Sequence, residues 1–427
     1  MKTYDSYKDS GIQWIGEIPE CWKVSRLKFM GESIIGLTYS PEEVTEDESG
    51  YLVLRSSNIQ NGKLSLNDNV FVKKQINEKL ITRNDDILIC ARNGSVDLVG
   101  KNILIDERTE GQTFGAFMTI FRGRSNQFIY WFFNSPFFDA QKGAFSTSTI
   151  NQLTSSILNN LITTVPPEIE QTTIANYLDT KTTEIDQIIA DKEALINLYE
   201  EEKKALINEA VTKGVTLSGV ETCSTKLKPS GVEWLGDVPE HWEVKKLKYV
   251  MQSMNTQRIP LSSEERGGMV ERVYDYYGAS GIIDLVENYI FDEPLLLIGE
   301  DGANLLSRNS RLVFIAKGKY WVNNHAHILK AKYGVLEYYC ELLEQYDFTV
   351  WVTGSAQPKL TSENLMNIEV IVPPLSEQTA IVRHIETETT KINDKINLIK
   401  QEIELLKEYR QALIFEAVTG KIRVDKG

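Results

Sequence analysis

The sequence is poor in the side chains that most often carry chemistry: it has four cysteines and four histidines in 427 residues. Cys21, Cys90, Cys223 and Cys340 are scattered without a CxxC pair, and only His325 and His327 stand close together, which argues against a zinc or dithiol site. As alternate residues of an expected strand, those two histidines should share one face, as exposed polar groups do. No apolar run of about 18 residues occurs and Met1 to Tyr7 offers no signal-peptide core, so the expected location is the cytoplasm.

GxGxxG, GxxxxGK[ST] and GxSxG are all absent, which excludes the common phosphate cradles and the nucleophile elbow. Gly278-Ala-Ser-Gly281 and Gly299-Glu-Asp-Gly302 have the form of a backbone-clamping loop, but Glu300 and Asp301 would repel phosphate, so both are expected as plain tight turns. Val165-Pro-Pro-Glu and Val372-Pro-Pro-Leu lack the flanking residues of an adenine methyltransferase site. No catalytic residue and no metal ligand is assigned.

Positive charge is also in deficit, and a net charge of −14 argues at first against a nucleic-acid partner. Its distribution weakens that argument. Residues 168–214 hold 11 acidic and 5 basic side chains, whereas residues 51–164 hold 12 basic and 9 acidic, and residues 302–360 hold 7 basic and 4 acidic.

What is present is present twice. Val165-Pro-Pro-Glu-Ile-Glu-Gln171-Thr-Thr-Ile174 and Val372-Pro-Pro-Leu-Ser-Glu-Gln378-Thr-Ala-Ile381 each open a long segment without proline or glycine, ending at Lys213-Gly214 and at Gly420. Pro-Pro starts a helix, a first-turn glutamate suits its dipole, and glycine stops it. Roughly 45 residues at about 1.5 Å each predict rods of about 65 Å. Leu178, Ile185, Tyr199 and Leu206 recur in sevens in the first, and Ile385, Ile392, Ile399, Leu406 and Leu413 in the second, which predicts a coiled-coil seam between the rods. Lys192 stands where the second seam has Ile399. Antiparallel packing would hold two domains at opposite ends of a spacer, related by a pseudo-two-fold axis.

Ser10-Gly-Ile-Gln-Trp14-Ile-Gly-Glu-Ile-Pro19-Glu-Cys-Trp22 has a near copy in Ser230-Gly-Val-Glu-Trp234-Leu-Gly-Asp-Val-Pro239-Glu-His-Trp242. These copies lie 220 residues apart and the rod starts 207 apart, so the halves differ by 13 residues, all in their middles. The four tryptophans are expected to pack inside rather than to stack on bases. Strands are expected at Tyr51 to Arg55, Asp86 to Cys90, Lys101 to Ile105 and Ala116 to Phe121, followed by a helix from Gln127 through Phe138. The second middle offers strands at Val273 to Tyr277, Leu295 to Ile298, Arg311 to Ala316 and Ala326 to Lys330, then a helix from Leu336 to Gln345. Asp86 to Gly94 aligns by letter with Pro294 to Gly302.

The fold class is therefore α+β, a tandem duplicated unit with two α/β domains and two long antiparallel coiled-coil helices. Expected boundaries are 1–165 for the first domain, 166–214 for the first rod and 215–228 for a linker. The second domain should then span 229–372, the second rod 373–422 and a tail 423–427. Polar clusters in the expected turns are candidates for contact with DNA: Arg55, Ser57, Asn58, Arg92, Asn93, Ser95 and Lys101, then Asn304, Arg308, Asn309, Arg311, Asn323, Asn324, His325, Gln357 and Lys359. Arginine reads guanine in a bidentate way, asparagine and glutamine read adenine, and lysine and serine suit phosphates.

The doubled tryptophan motif, the doubled Pro-Pro-x-x-Glu-Gln-x-x-Ile start and the doubled Ala-Val-Thr ending at Ala210 to Thr212 and Ala417 to Thr419 together resemble the specificity subunit of Type I restriction-modification systems. The resemblance covers nearly the whole chain. It implies two target recognition domains, each reading half of a split double-stranded DNA sequence, with the long helices setting the gap and docking two modification subunits. It further implies that S-adenosylmethionine-dependent adenine methylation belongs to those partners, that ATP- and Mg-dependent cleavage belongs to restriction subunits, and that this chain holds no cofactor. The expected target is asymmetric, with about 3 to 5 base pairs per half and half-site centres about 10 base pairs apart. A stand-alone bivalent regulator and a coiled-coil protein adaptor are the rival readings, and neither would direct methylation.

Overall fold

The computed structural model describes residues 2–46, 48–145, 152–215, 226–232, 235–301, 304–353 and 358–424. Cys223, Trp234, Gln357, most of the expected linker and residues 425–427 of the expected tail lie outside the described residues. Two compact units emerge: Met1–Glu193 with Lys400–Gly427, and Ala194–Ile399. Two long helices, Glu168–Lys213 and Leu375–Val418, each begin in one unit and end in the other.

In unit 1 the central sheet has four antiparallel strands in the order Asn102–Leu104, Ile87–Cys90, Met118–Gly123, Gly31–Ile35. Ile87–Cys90 is buried on both faces, as its unbroken apolar run requires. Ile87 and Ile89 join a core with Phe121, Phe128 and Phe132, whereas Leu88 and Cys90 join a second core with Leu54, Phe114 and Ile120. Alternation along one strand thus serves two cores.

Unit 2 repeats this order with Val313–Ala316, Leu295–Gly299, Ala326–Ala331 and Met251–Ser253. Here Leu296 and Ile298 take the core with Tyr338 and Leu342, and Leu295 and Leu297 take the other with Phe291 and Tyr320. A parallel pair also recurs: Thr113–Phe114 lies beside Tyr51–Leu54, and Tyr320–Val322 beside Tyr274–Gly278.

This geometry corrects the alignment by letter. Cys90 pairs with Met118 and Gly299 with Ala326, so Ile87 corresponds to Leu296, one residue beyond the match read from the sequence. A slip of one residue moves every side chain to the other face, and matching apolar letters in a strand buried on both faces cannot detect it. The expected helix Gln127 through Phe138 is also two helices, Asn126–Phe133 and Pro136–Phe145. Pro136 disfavours helical backbone at Ser135 and suits the first turn of the second helix. His325 and His327 do not share a face: His325 is exposed in a turn, whereas His327 is wholly buried at the start of its strand.

The doubled motifs form one joint, built twice. Strand Lys23–Arg26 pairs with Ile162–Val165, and Glu243–Lys246 with Glu369–Val372, which brings each second tryptophan to the start of its own long helix. There the indole N–H of Trp22 donates to Glu170 at 3.0 Å and that of Trp242 to Glu377 at 2.9 Å. The neighbouring glutamines, Gln171 and Gln378, donate to the carbonyls of Pro166 and Pro373. Trp22 and Trp242 are fully buried as expected, but Trp14 is 54% exposed, so the packing expectation fails there. Ala417 and Val418 enter the core with Trp22, while Ala210 and Val211 enter the core with Trp242. Gly420 caps its helix in the left-handed region and lies so close to Pro19 that a side chain would collide.

Within each unit the two long helices run antiparallel. In unit 1 Asp186 meets Arg410 at 3.0 Å and Lys192 meets Glu402 at 2.6 Å. In unit 2 Lys395 lies 5.2 Å above the Tyr199 ring and Lys203 donates to Asn393 at 2.9 Å. Leu178, Ile185, Ile385, Ile392, Ile399 and Leu413 are buried, and Tyr199, Leu206 and Leu406 are half-buried. Lys192 interrupts the apolar stripe because its ammonium reaches a carboxylate on the other helix.

Candidate nucleic-acid interface

At one end of the unit 1 sheet lies an open cavity of about 980 Å³, and four of the expected contact residues, Arg55, Ser57, Arg92 and Asn93, line it. Asn58 and Lys101 lie behind it. Asn58 is wholly buried, accepting from the Arg55 backbone and donating to Ser65, so it shapes the loop and offers no edge to a ligand. The Lys101 ammonium donates to the carbonyls of Ser56 and Ile59 at 2.5 and 2.8 Å, and burial lowers its pKa, which corrects its assignment as a phosphate contact to that of a brace.

The cavity wall keeps unused donors. Arg55 pairs with Asp68 at 2.9 Å, yet its Nε and the hydroxyl of Ser57 are buried with no partner among the described residues. Asn93 donates to Ser56 and accepts from the Ser95 backbone, fixing the turn that presents Arg92. Ser95 itself is exposed. The Arg92 guanidinium lies 5.3 Å above the ring of Phe117, an aromatic residue 60% exposed at the cavity. Stacking of this kind holds a guanidinium in one plane while leaving its donors outward.

In unit 2 the expected residues fall into two groups. Asn304, Arg308 and Arg311 are held by their own surroundings. Asn304 exchanges hydrogen bonds with Ser310, Arg308 reaches the Glu344 carbonyl, and Arg311 pairs with Glu341 at 2.6 Å and donates to Val313. Both arginines thereby fasten their loop to the helix Leu336–Glu344. Asn309 is exposed beside them.

The second group surrounds the sheet end. Asn323 is buried and accepts from the His325 backbone, Asn324 is exposed, and the half-exposed His325 contacts Asp301 at 2.9 Å. Beneath them Glu300 takes ion pairs from Arg258 at 2.6 Å and Lys359 at 3.0 Å. Burial alone would raise the Glu300 pKa, but Arg258, His327 and Lys359 outweigh it and hold it low. His327 donates through Nε2 to the Leu360 carbonyl and accepts at Nδ1 from Asn255, whose oxygen is fixed by the Ile328 N–H. Burial lowers the pKa of this imidazole.

Three positions outside the expected contact residues belong to these ends: Phe117, Gln152 and Asp301, the last noted in the sequence only as a group that would repel phosphate. Phe117 stands in a Gly-Ala-Phe turn that resembles the start of an ordinary strand, and Gln152 acquires its neighbours only through a backbone bridge to Arg92.

The sequence profile described as the Type I restriction modification DNA specificity domain matches residues 19–198 and 239–405. The chain belongs to that family. The EcoKI specificity subunit of Escherichia coli (strain K12) is 24% identical over 95% of this chain and 90% of its own length. The MjaVIII specificity subunit of Methanocaldococcus jannaschii is 24% identical over 95% and 94%. The fold is shared with a chain from a structure of type I R-M system assembly and conformational transition, at a TM-score of 0.69 and 15% identity over 95% of this chain and 99% of that one. The doubled family match accounts for the doubled joint, since both matched segments contain the second tryptophan of the motif, Trp22 or Trp242, and the start of a long helix.

Proposed function

We propose that this chain is the non-catalytic DNA-reading subunit of a type I restriction-modification complex, each unit reading one half of an asymmetric, gapped duplex target. The observation that carries this is the repetition of one backbone with different exposed ends: Arg92 stacked on Phe117 in unit 1, Asp301 joined to His325 in unit 2. A shared scaffold with unlike tips suits two readers of unlike sequences. Methyl transfer from S-adenosylmethionine, and ATP- and Mg-dependent cleavage, would be supplied by two modification subunits and by restriction subunits. The acidic first long helix suits protein partners better than phosphates.

The test is genetic and direct. Host DNA is sequenced for N6-methyladenine with the chain present and with it deleted. A gapped, two-part motif that disappears with the deletion supports the reading. Persistence of every motif, or the absence of any, overturns it.

A further inference from the structure

The two readers can be superposed by their hydrogen bonds alone. In unit 1 the Ala91 N–H donates to the Phe117 carbonyl at 2.9 Å and the Leu153 N–H to the Ala91 carbonyl at 2.8 Å. In unit 2 the Glu300 N–H donates to the His325 carbonyl at 2.8 Å and the Leu360 N–H to the Glu300 carbonyl at 2.8 Å. Beside these bonds run two further bridges, Arg92 with Gln152 and Asp301 with Lys359. Three backbone positions are therefore held alike in both units.

Their side chains are unlike. Arg92, Phe117 and Gln152 occupy them in unit 1, and Asp301, His325 and Lys359 in unit 2. All six are exposed or half-exposed, while the residues one step inward, Ala91 and Glu300, Leu153 and Leu360, are buried. All three outward members differ in chemistry between the units; of the inward members Leu153 and Leu360 agree, while Ala91 gives way to the ion-paired Glu300.

We infer that these three positions form a specificity triplet, whose side chains set the bases preferred by each unit. The inference rests on the DNA-reading function proposed above. The unit 1 triplet carries a planar guanidinium held on an aromatic ring and one amide, so it suits purine edges: O6 and N7 of guanine for Arg92, N6 and N7 of adenine for Gln152. The unit 2 triplet presents a carboxylate oriented by an imidazole, with an ammonium beside it. A carboxylate only accepts, so Asp301 requires an exocyclic amino group, on cytosine or adenine, and excludes guanine O6 and thymine O4 at that place.

The experiment transplants one triplet. The full chain is co-expressed with the modification subunits of its own host, and methylated motifs are compared for the natural chain and for R92D/F117H/Q152K. The expected result is a changed or relaxed base preference in one half-site, by roughly 5- to 150-fold at the affected pair, with the other half-site and the gap unchanged. An unaltered motif overturns the inference and leaves the function standing. If the triple variant abolishes methylation, the single variant Arg92→Gln decides, because Arg92 is exposed and its loss leaves the core intact. Relaxation at one base pair then supports the triplet, and an unaltered motif overturns it. A natural chain that yields no gapped motif removes both the reading and the inference.

Discussion

In unit 1 the paired turns at the sheet end carry a cation on an aromatic ring, and in unit 2 the same turns carry an acid against an imidazole. At the opposite end, where each unit meets its long helix, the units are nearly indistinguishable: an indole N–H on a first-turn glutamate, a glutamine on a proline carbonyl, and an Ala-Val pair in the core. The difference teaches where the chain is constrained. Joints must satisfy buried polar groups and have few solutions, whereas exposed tips are limited only by what they touch.

The hardest test of this likeness is to remove the joint from one unit at a time. Trp22→Ala and Trp242→Ala each delete a fully buried ring and leave a carboxylate without its indole donor. Each is expected to cost about 3–5 kcal/mol, read as a lowered denaturant midpoint. Equal effects uphold the likeness; a harmless substitution in either unit breaks it.

A second test uses a place where the units differ inside. Asp86 is buried and ion-paired with Arg122 at 2.6 Å, an attachment that raises the arginine pKa, whereas the matching place in unit 2 is the apolar Leu295. Asp86→Ala is expected to cost about 3–5 kcal/mol by stranding the guanidinium. Asp86→Leu combined with Arg122→Leu should recover most of that loss by replacing the ion pair with apolar contact. Failure of the double variant to recover in urea unfolding would show that unit 1 requires the ion pair there, whereas unit 2 places Leu295 beside Lys330, which pairs with Glu293 instead.

Arginines offer a third contrast. Arg311→Ala is expected to lower stability by about 1.5–3 kcal/mol, the range for hydrogen bonds to charged groups, and to leave the methylated motif unchanged, because its guanidinium is tied to Glu341 and Val313. A changed motif at full stability would return Arg311 to the reading surface.

The smallest effect concerns pH. His327 occupies a position that Thr119 occupies in unit 1. Burial lowers its pKa below the ordinary 6.5, so as pH falls through that value the unfolded chain takes up the proton first and stability declines. The slope is at most about 1.4 kcal/mol per pH unit, present below pH 6.5 and absent above it. His327→Thr should flatten the denaturant midpoint between pH 5 and 7, after allowance for Glu300, which titrates lower. An unflattened profile would assign the slope to other groups.

Much of the fold was legible because its signals are local or repeated. Pro166-Pro167 and Pro373-Pro374 announced helices that begin at Glu168 and Leu375, and each expected sheet strand has an observed counterpart whose ends differ by no more than two residues. The candidate site was legible only in part. Arg55, Ser57, Arg92, Asn93, His325 and Lys359 do reach the sheet ends, but Asn58, Lys101 and Asn323 have the same letters and face inward. Whether a polar side chain in a turn points out or braces the turn depends on neighbours distant in sequence.

The sequence by itself determined the duplication, the two long helices and the apolar strands, since periodicity, capping residues and repeated motifs are properties of a chain read in order. Only the tertiary structure decided the one-residue register between the two sheets, the burial of His327 and the meeting of Arg92, Phe117 and Gln152. Those depend on pairings between strands far apart in the chain, and a side chain's neighbours across such a pairing are fixed by geometry that no local pattern records.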